Sequence, residues 1–250
     1  MTYTYSLPGQ AGVEFENGVY EGSWKAGKRD GFGVLTWADG SVFTGIWKND
    51  KRHKGKMRMA NGNTYIGYFQ DDKLQGLAKL LLGREVIFEG NFDKGICSSV
   101  GKLLYPNGDI YYGQHKLFTR EGQGKMVYFD GSVYEGGWEG DKKNFKGRFI
   151  DADGNIFVGE YSDDKRTGKG RMYYKEKYEI YDGEWSNDKR QGEGIIINKR
   201  GEILAGDFRS DNMEGKLTFQ RLLSKHELDK VFSLMINGRD AFITVQTRRA

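Results

Sequence analysis

The sequence predicts an all-β fold, a single-layer antiparallel meander of hairpins, and three observations predict it. An aromatic-x-Gly-x-aromatic string recurs as YEGSW from Tyr20, FTGIW from Phe43, YIGYF from Tyr65, FEGNF from Phe88, YYGQH from Tyr111, YEGGW from Tyr134, FVGEY from Phe157, YDGEW from Tyr181 and a degraded LAGDF from Leu204. These nine anchors stand 22, 23 or 24 residues apart, a period that marks a repeat architecture. A second glycine lies ten residues before the next anchor at Gly33, Gly55, Gly101, Gly124, Gly147 and Gly194, often with another two residues earlier. Third, Gly40, Gly62, Gly108, Gly131, Gly154 and Gly201 each stand three before an anchor, mostly after Asp or Asn, the dipeptide that favours tight hairpin turns.

Composition agrees. The 37 glycines sit beside only 2 prolines, aromatics reach 14% and hydrophobic residues only 37%, a balance unlike a packed α/β enzyme or a Pro-rich disordered chain. Charge is nearly matched, 39 basic against 35 acidic residues, so no nucleic-acid partner is expected. Cys97 is the only cysteine, which leaves no disulfide framework or cysteine-rich zinc site and fits a reducing, cytoplasmic compartment. No basic-then-apolar leader, no run approaching 18 apolar residues and no N-x-S/T acceptor occurs, so neither secretion nor a transmembrane segment is expected.

Taken in order, residues 1–12 are a leading segment, 13–220 the repeat array and 221–250 a C-terminal cap. Each repeat reads as strand, polar loop such as KNDKRH from Lys48, strand, tight turn, giving roughly eighteen strands in an elongated sheet. At about 4.8 Å per strand such a sheet extends on the order of 85 Å. Side chains alternate, so Phe43, Gly45 and Trp47 share one face, as do Gly33, Leu35 and Trp37 on the strand before. Mid-strand glycine leaves a gap over which a neighbouring ring can lie, so this face becomes a ring-on-glycine layer. Such a layer is only partly covered by its own neighbours and can receive a partner. The opposite face carries Glu21, Ser23, Glu135, Glu160, Asp182 and Glu184 and should be wet in most repeats, with no second sheet required.

These residues resemble the MORN family, whose repeat reads YxGxWxxGxxxGxGxxxxxxG; YEGSWKAGKRDGFGVLTWADG from Tyr20 matches it nearly throughout. The repeat-defining positions include Tyr20, Gly22 and Trp24; Phe43, Gly45 and Trp47; Tyr65, Gly67 and Phe69; Tyr134, Gly136 and Trp138; and Tyr181, Gly183 and Trp185. The resemblance, which covers roughly 13 to 220, implies a twisted single-layer β-meander. It implies docking functions: cytoskeletal or ciliary scaffolding, tethering at membrane junctions, or an accessory module of lipid kinases or methyltransferases.

Several copies depart from the pattern. After Gly76 the chain reads LAKLLLGREVIF, without an Asn-Gly turn and with a triplet at Leu80, Leu81 and Leu82, a candidate partner contact. His115 replaces the last aromatic of the fifth copy, and KEKYEI adds a residue that calls for a bulge or longer loop. At the C-terminus, Ser224 and Glu227 form a capping box, Leu223 and Leu228 can staple across it, and Asn237-Gly238 stops the helix, predicted over about 225–236. Its stripe of Leu228, Val231, Phe232 and Met235 either covers the last strand or docks into a partner. AFITVQT beyond it is a candidate final strand, and Arg248 and Arg249 are expected to be solvated.

Catalytic, cofactor and metal sites have no visible support. His53, His115 and His226 are scattered, GICSSVGKL from Gly95 has five residues between its glycines where a phosphate loop has four, and the DADGN glycine comes too early for a calcium loop. No Gly-x-Ser-x-Gly occurs. Basic loops KAGKRD, KNDKRH, SDDKRT and SNDKRQ would stack into rows able to attract acidic tubulin tails or anionic phospholipid, although neighbouring aspartates weaken the attraction. The expectation is a non-catalytic structural scaffold or docking platform in a large protein assembly. Cytoskeletal placement, in a cilium or flagellar axoneme with tubulin-associated partners, follows from the resemblance. A peripheral module binding anionic phospholipid and an accessory subunit of an enzyme complex are the alternatives.

Overall fold

The computed structural model describes residues 13–15, 18–83 and 86–237, which fall into two compact units, Met1–Phe118 and Thr119–Ala250. Unit 1 holds β1 (Val13–Phe15), β2 (Gly18–Lys25), β3 (Lys28–Trp37), β4 (Val42–Lys48), β5 (Lys51–Arg58), β6 (Thr64–Gln70), β7 (Lys73–Leu82), β8 (Val86–Asp93), β9 (Ile96–Leu104) and β10 (Ile110–Lys116). Unit 2 holds β11 (Thr119–Val127), β12 (Val133–Glu139), β13 (Lys142–Ile150), β14 (Ile156–Ser162), β15 (Lys165–Tyr174), β16 (Glu179–Ser186), β17 (Lys189–Ile197), β18 (Glu202–Arg209), β19 (Asn212–Leu222) and one helix, α1 (Lys225–Asn237). Within each unit every strand pairs antiparallel with its sequence neighbours, so the fold is the predicted all-β meander with a C-terminal helix.

Register follows the glycines. Gly22, Gly33, Gly45, Gly55 and Gly67 stand opposite one another across β2 to β6, and Gly136, Gly147, Gly159, Gly170, Gly183, Gly194 and Gly206 do so across β12 to β18. A one-residue slip would turn every ring to the other face, which is why the register is so strictly kept.

The turns differ from the expected assignment. KNDKRH is not a loop: Asn49 (φ 50°) and Asp50 (φ 69°) alone make the reversal, and Lys51, Arg52 and His53 already belong to β5. Two successive positive φ values are the signature of a type I′ turn, whose twist matches that of the flanking strands. The same pair of positive φ values recurs at Ala26-Gly27, Asp71-Asp72, Lys94-Gly95, Leu117-Phe118, Gly140-Asp141, Asp163-Asp164, Asn187-Asp188 and Ser210-Asp211. The Asp-Gly site is the wider hairpin: Trp37 N–H donates to Ser41 O (2.9 Å), Gly40 N–H to Trp37 O (3.0 Å), and Gly40 sits at φ 84°. The residue added at KEKYEI is absorbed by a four-residue turn between Tyr174 and Glu179.

The glycine two residues before each ring-face glycine has its own task. Gly31, Gly168 and Gly192 have positive φ where the pairing register slips, a β-bulge that recurs through the repeats. In β13 the position is held by Phe145 at φ 62°, a left-handed conformation that is strained for a bulky residue.

Helix α1 begins where predicted. Ser224 N–H donates to Glu227 Oε2 (2.8 Å) and Glu227 N–H to Ser224 Oγ (3.3 Å), satisfying two amide donors that a helix start leaves orphaned. At the other end Arg148 Nη2 donates to the carbonyls of Met235 (3.3 Å) and Ile236 (2.9 Å). The helix does not merely cover the last strand. Val231, Phe232 and Met235 are buried with Ile156, Tyr173, Ile180, Ile197, Ile203 and Leu223 in one core, with Leu228 packed against it. These strand residues alternate with the anchors, so α1 lies on the face away from the rings. That face is therefore dry where α1 sits, because a β-branched residue precedes the anchor at Ile156, Ile180 and Ile203, while Glu135 and Glu184 on the same face of unit 2 are exposed as expected. The AFITVQT strand, Gly238, Arg248 and Arg249 lie outside the described residues.

Candidate functional site

The ring face is the first candidate surface, and it is sealed. Tyr20, Phe43, Phe88, Tyr111, Tyr134, Phe157 and Tyr181 are at most 1% exposed. Tyr20, Phe43, Phe88, Tyr134, Phe157 and Tyr181 each lie over the glycine gap on their own strand and the next: a Cβ built on Gly33 would stand 2.5 Å from Tyr20 Cε2, and one on Gly170 2.5 Å from Phe157 Cζ. Edge-to-face contacts then link the repeats. Tyr134 meets Trp138 at 5.1 Å and Tyr161 at 5.3 Å; Phe157 meets Tyr161 at 5.3 Å and Trp185 at 5.2 Å; Tyr181 meets Trp185 at 5.4 Å and Phe208 at 5.0 Å. Each such pair adds about 0.5–1.5 kcal/mol to the area it buries. Polar ring atoms are satisfied inside the layer: Tyr134 Oη donates to Gly137 O (2.9 Å), Tyr181 Oη to Glu184 O (3.0 Å) and Trp185 Nε1 to Gly170 O (2.9 Å). The expectation that the aromatic layer stays partly open to a partner is therefore corrected, since neighbouring rings and arginines fill it.

Two positions are looser. Trp24, at the beginning of the array, is 41% exposed, and Tyr65 is half-buried. Beside Tyr65, Ala78 replaces the glycine that would face Gly67, and its methyl takes the space into which the ring would settle.

The basic and acidic turn residues are the second candidate, and they form an internal ladder. Arg29 donates from its backbone N (2.8 Å) and Nε (3.3 Å) to Asp50 Oδ1 and from Nη2 to Asp50 O (2.9 Å), while its guanidinium lies 4.2 Å from the Trp47 ring centroid. The rung repeats at Arg52–Asp72, Arg120–Asp141, Arg166–Asp188 and Arg190–Asp211, and Lys143 N–H donates likewise to Asp164 Oδ1 (2.8 Å). Arg166 sits 4.5 Å from Trp185 and Arg120 4.3 Å from Trp138. The forked guanidinium thus ties one repeat's strand to the next repeat's turn. At two rungs both partners change together: Leu74 and Gly95 stand in for Arg and Asp, and so do Cys97 and Phe118, leaving no uncompensated charge. A spacing of 20 to 22 residues between each basic residue and its aspartate was the signal in the sequence, hidden because the two stand in the loops of successive repeats, Arg29 in KAGKRD and Asp50 in KNDKRH.

Cys97 and His115 form the only rung-like pair of nucleophile and base at close range among the described residues, Sγ to Nε2 4.0 Å. His115 takes the tryptophan's place, edge-on to Phe88 at 4.8 Å and stacked on Phe118 at 5.6 Å. Burial pushes the Cys97 thiol up to about 11 and His115 below its ordinary value, so both are neutral near pH 7. Burial likewise raises Tyr20, Tyr134, Tyr161 and Tyr181. Among the described residues no group of three or more His, Cys, Asp or Glu is placed to hold a metal, and no helix is long and apolar enough to cross a membrane.

The face away from the rings is the third candidate. In unit 2 it seats α1, which takes up Val231, Phe232 and Met235 and, in part, Leu228; these side chains face the chain's own sheet and not a partner. In unit 1 Leu80 belongs to the ring side and is buried, while Leu81 and Leu82 are half-buried. Phe32, Ile46, Ile66 and Tyr68 are exposed on the unit 1 face.

Comparison with known proteins gives limited local likenesses and one family. Alsin of Rattus norvegicus is 29% identical over 114 residues, 41% of this chain and 7% of alsin, and alsin of Homo sapiens is 29% identical over 111 residues, 40% and 7%. The chain thus spans a small fraction of those relatives. MORN repeat-containing protein 3 of Xenopus laevis is 44% identical over 41 residues, 14% of this chain and 17% of that protein. Among solved structures, the TCP10 domain of Danio rerio CPAP in complex with a peptide of STIL aligns over 80% of this chain and 98% of its own at a TM-score of 0.35 and 12% identity. The MORN repeat pattern matches residues 20–42, 43–64, 88–110, 119–133, 134–156, 157–176 and 181–201, passing over the third anchor, the fifth anchor at 111–118 and the degraded ninth. With more than half of its length matched in seven repeats, the chain belongs to the MORN repeat family.

Proposed function

We propose that this chain is a non-catalytic docking platform, a structural subunit of a larger protein assembly, with the cytoskeleton of a cilium or flagellum as its setting. The observation that carries the reading is the consumption of reactive side chains by the fold itself. Arginines and aspartates are spent on the ladder, tyrosines on the ring layer, and Cys97 and His115 are held neutral. What remains to meet another molecule is a sheet face, the property of a platform. The ciliary setting rests on family resemblance alone. Phospholipid binding through the basic turns is disfavoured because their arginines are committed, which leaves lysines such as Lys25, Lys28 and Lys48 to make the attraction.

The test is purification of the tagged chain from its own cells through a high-salt wash, followed by mass spectrometry. Axonemal or other cytoskeletal proteins that survive the wash support the scaffold. Recovery of the chain alone, with salt-sensitive binding to anionic liposomes, overturns it in favour of a membrane module.

A further inference from the structure

The face that seats α1 in unit 2 has a counterpart in unit 1, where Phe32, Ile46, Ile66 and Tyr68 stand exposed. In unit 2 the seat is a cross-strand row running Ile150, Ile156, Tyr173, Ile180, Ile197, Ile203, each opposite the next. The unit 1 row in the same position relative to the anchors runs Val42, Arg58, Thr64, Leu81, Ile87, Leu104. Beside it, Phe32 pairs with Ile46, Ile46 with Lys54, Lys54 with Tyr68, and Lys56 with Ile66. Phe32 is 58% exposed, and Ile46, Ile66 and Tyr68 are also open to solvent. A row that is apolar at Val42, Leu81, Ile87 and Leu104 and interrupted by Arg58 and Thr64 therefore lies next to exposed rings and aliphatics.

Charge selects the occupant. Strand β5 presents Lys54, Lys56 and Arg58 on this face, all exposed and none in an ion pair among the described residues, with Lys54 Nζ 4.8 Å from the Tyr68 ring. The nearest acids in this row are Glu89, already shared between Lys79 (2.7 Å) and Lys102 (3.5 Å), and the single Glu21 three strands to the other side of Lys56, which leaves the three cations of β5 in excess. A second copy of this chain docked by the same patch would set three cations against three. The chain's own remaining segments do not match: residues 1–12 carry no acid, and 238–250 carry Asp240 against Arg239, Arg248 and Arg249. Every strand here is already paired on both sides, so recognition falls to side chains and favours a helix laid in a groove over an added strand.

Resting on the docking-platform reading, we propose that the unit 1 face built on Lys54, Lys56 and Arg58 with Phe32, Ile66 and Tyr68 receives an amphipathic helix of a partner protein whose apolar stripe is flanked by acidic residues. It is the intermolecular version of the seat that α1 occupies in unit 2.

The test uses the full chain and two designed 20-residue helical peptides with the same leucine stripe, one flanked by Glu and one by Lys, with binding read by fluorescence anisotropy at physiological salt. The Glu-flanked peptide is expected to bind at least tenfold more tightly. The triple variant Lys54→Glu, Lys56→Glu, Arg58→Glu, all at exposed positions, should invert that preference, and Tyr68→Ser should weaken both peptides. Equal binding of the two peptides, or a triple variant that leaves the preference unchanged, overturns the proposal. So does binding of phosphatidylserine vesicles lost in the same triple variant without any peptide preference, which assigns the face to a membrane surface. Cellular partners retained by the triple variant would sink this face while leaving the platform standing; an absence of partners for the unaltered chain would sink the platform itself.

Discussion

Replacing Gly194 by alanine adds one methyl group and should be among the most damaging small changes in the chain. The new Cβ would stand 2.5 Å from Tyr181 Cε2, 2.6 Å from Oη and 2.7 Å from Cζ. Tyr181 has nowhere to go: it is fully buried, held edge-on by Trp185 and Phe208, and its hydroxyl donates to Glu184 O. Overpacking of this kind costs about 1–3 kcal/mol. Displacing the hydroxyl from its acceptor adds about 1 kcal/mol, so a total near 3 kcal/mol is expected. For a unit of this size that corresponds to a drop of roughly 10 °C in Tm. Thermal and urea unfolding of Gly194→Ala should show it, whereas Gly40→Ala, where a Cβ meets nothing within 4 Å, should lose only the cost of a left-handed backbone, about 1 kcal/mol. A second change, Tyr181→Leu, should be partly compensating in the Gly194→Ala background, because the contact that clashes is gone. Strictly additive losses, or a loss below about 0.5 kcal/mol for Gly194→Ala, would refute the reading that ring and glycine are one unit.

Other consequences follow from the ladder, the helix cap and the lone thiol. Arg166→Lys keeps the charge but loses the fork that reaches both Asp188 Oδ1 and Asp188 O, and should destabilise unit 2 by about 1 kcal/mol in urea unfolding; an unchanged midpoint would deny the rung a structural role. Hydrogen bonds from Ser224, with Arg221 beside it, hold the Glu227 carboxyl at about 2 against an ordinary 4.5, so its contribution is complete above pH 4.5 and is lost as pH falls toward 2. Tyrosine fluorescence from the Tyr173–Phe232 contact should report loosening of α1 in that window, and Glu227→Gln should loosen it already at neutral pH. Cys97, its thiol near 11, should react with iodoacetamide at pH 8 more slowly than a free cysteine by a factor of at least ten; a rate equal to the free thiol would contradict its burial.

The period-23 glycines and rings determined the meander and, to within one, its strand number, roughly eighteen against nineteen among the described residues, without any tertiary information, because each is a local demand. A ring needs a gap on the adjoining strand, a bulge needs a left-handed residue, and a helix start needs its cap. The turns were assigned the wrong way round for a physical reason: Asn-Asp and Asp-Gly both tolerate positive φ, and only the strand pairing decides which reversal takes two residues. The ladder was equally out of reach, since Arg166 and Asp188 are 22 residues apart and become neighbours only when the repeats stack. Whether Leu228, Val231, Phe232 and Met235 meet the last strand or a partner was left open by their helical spacing, which specifies a stripe and not its complement. Tertiary structure decided it: Ile156, Ile180 and Ile203 build an apolar row on one face of unit 2 that the helix can reach, while the matching row in unit 1 carries Arg58 and lies beside Lys54 and Lys56.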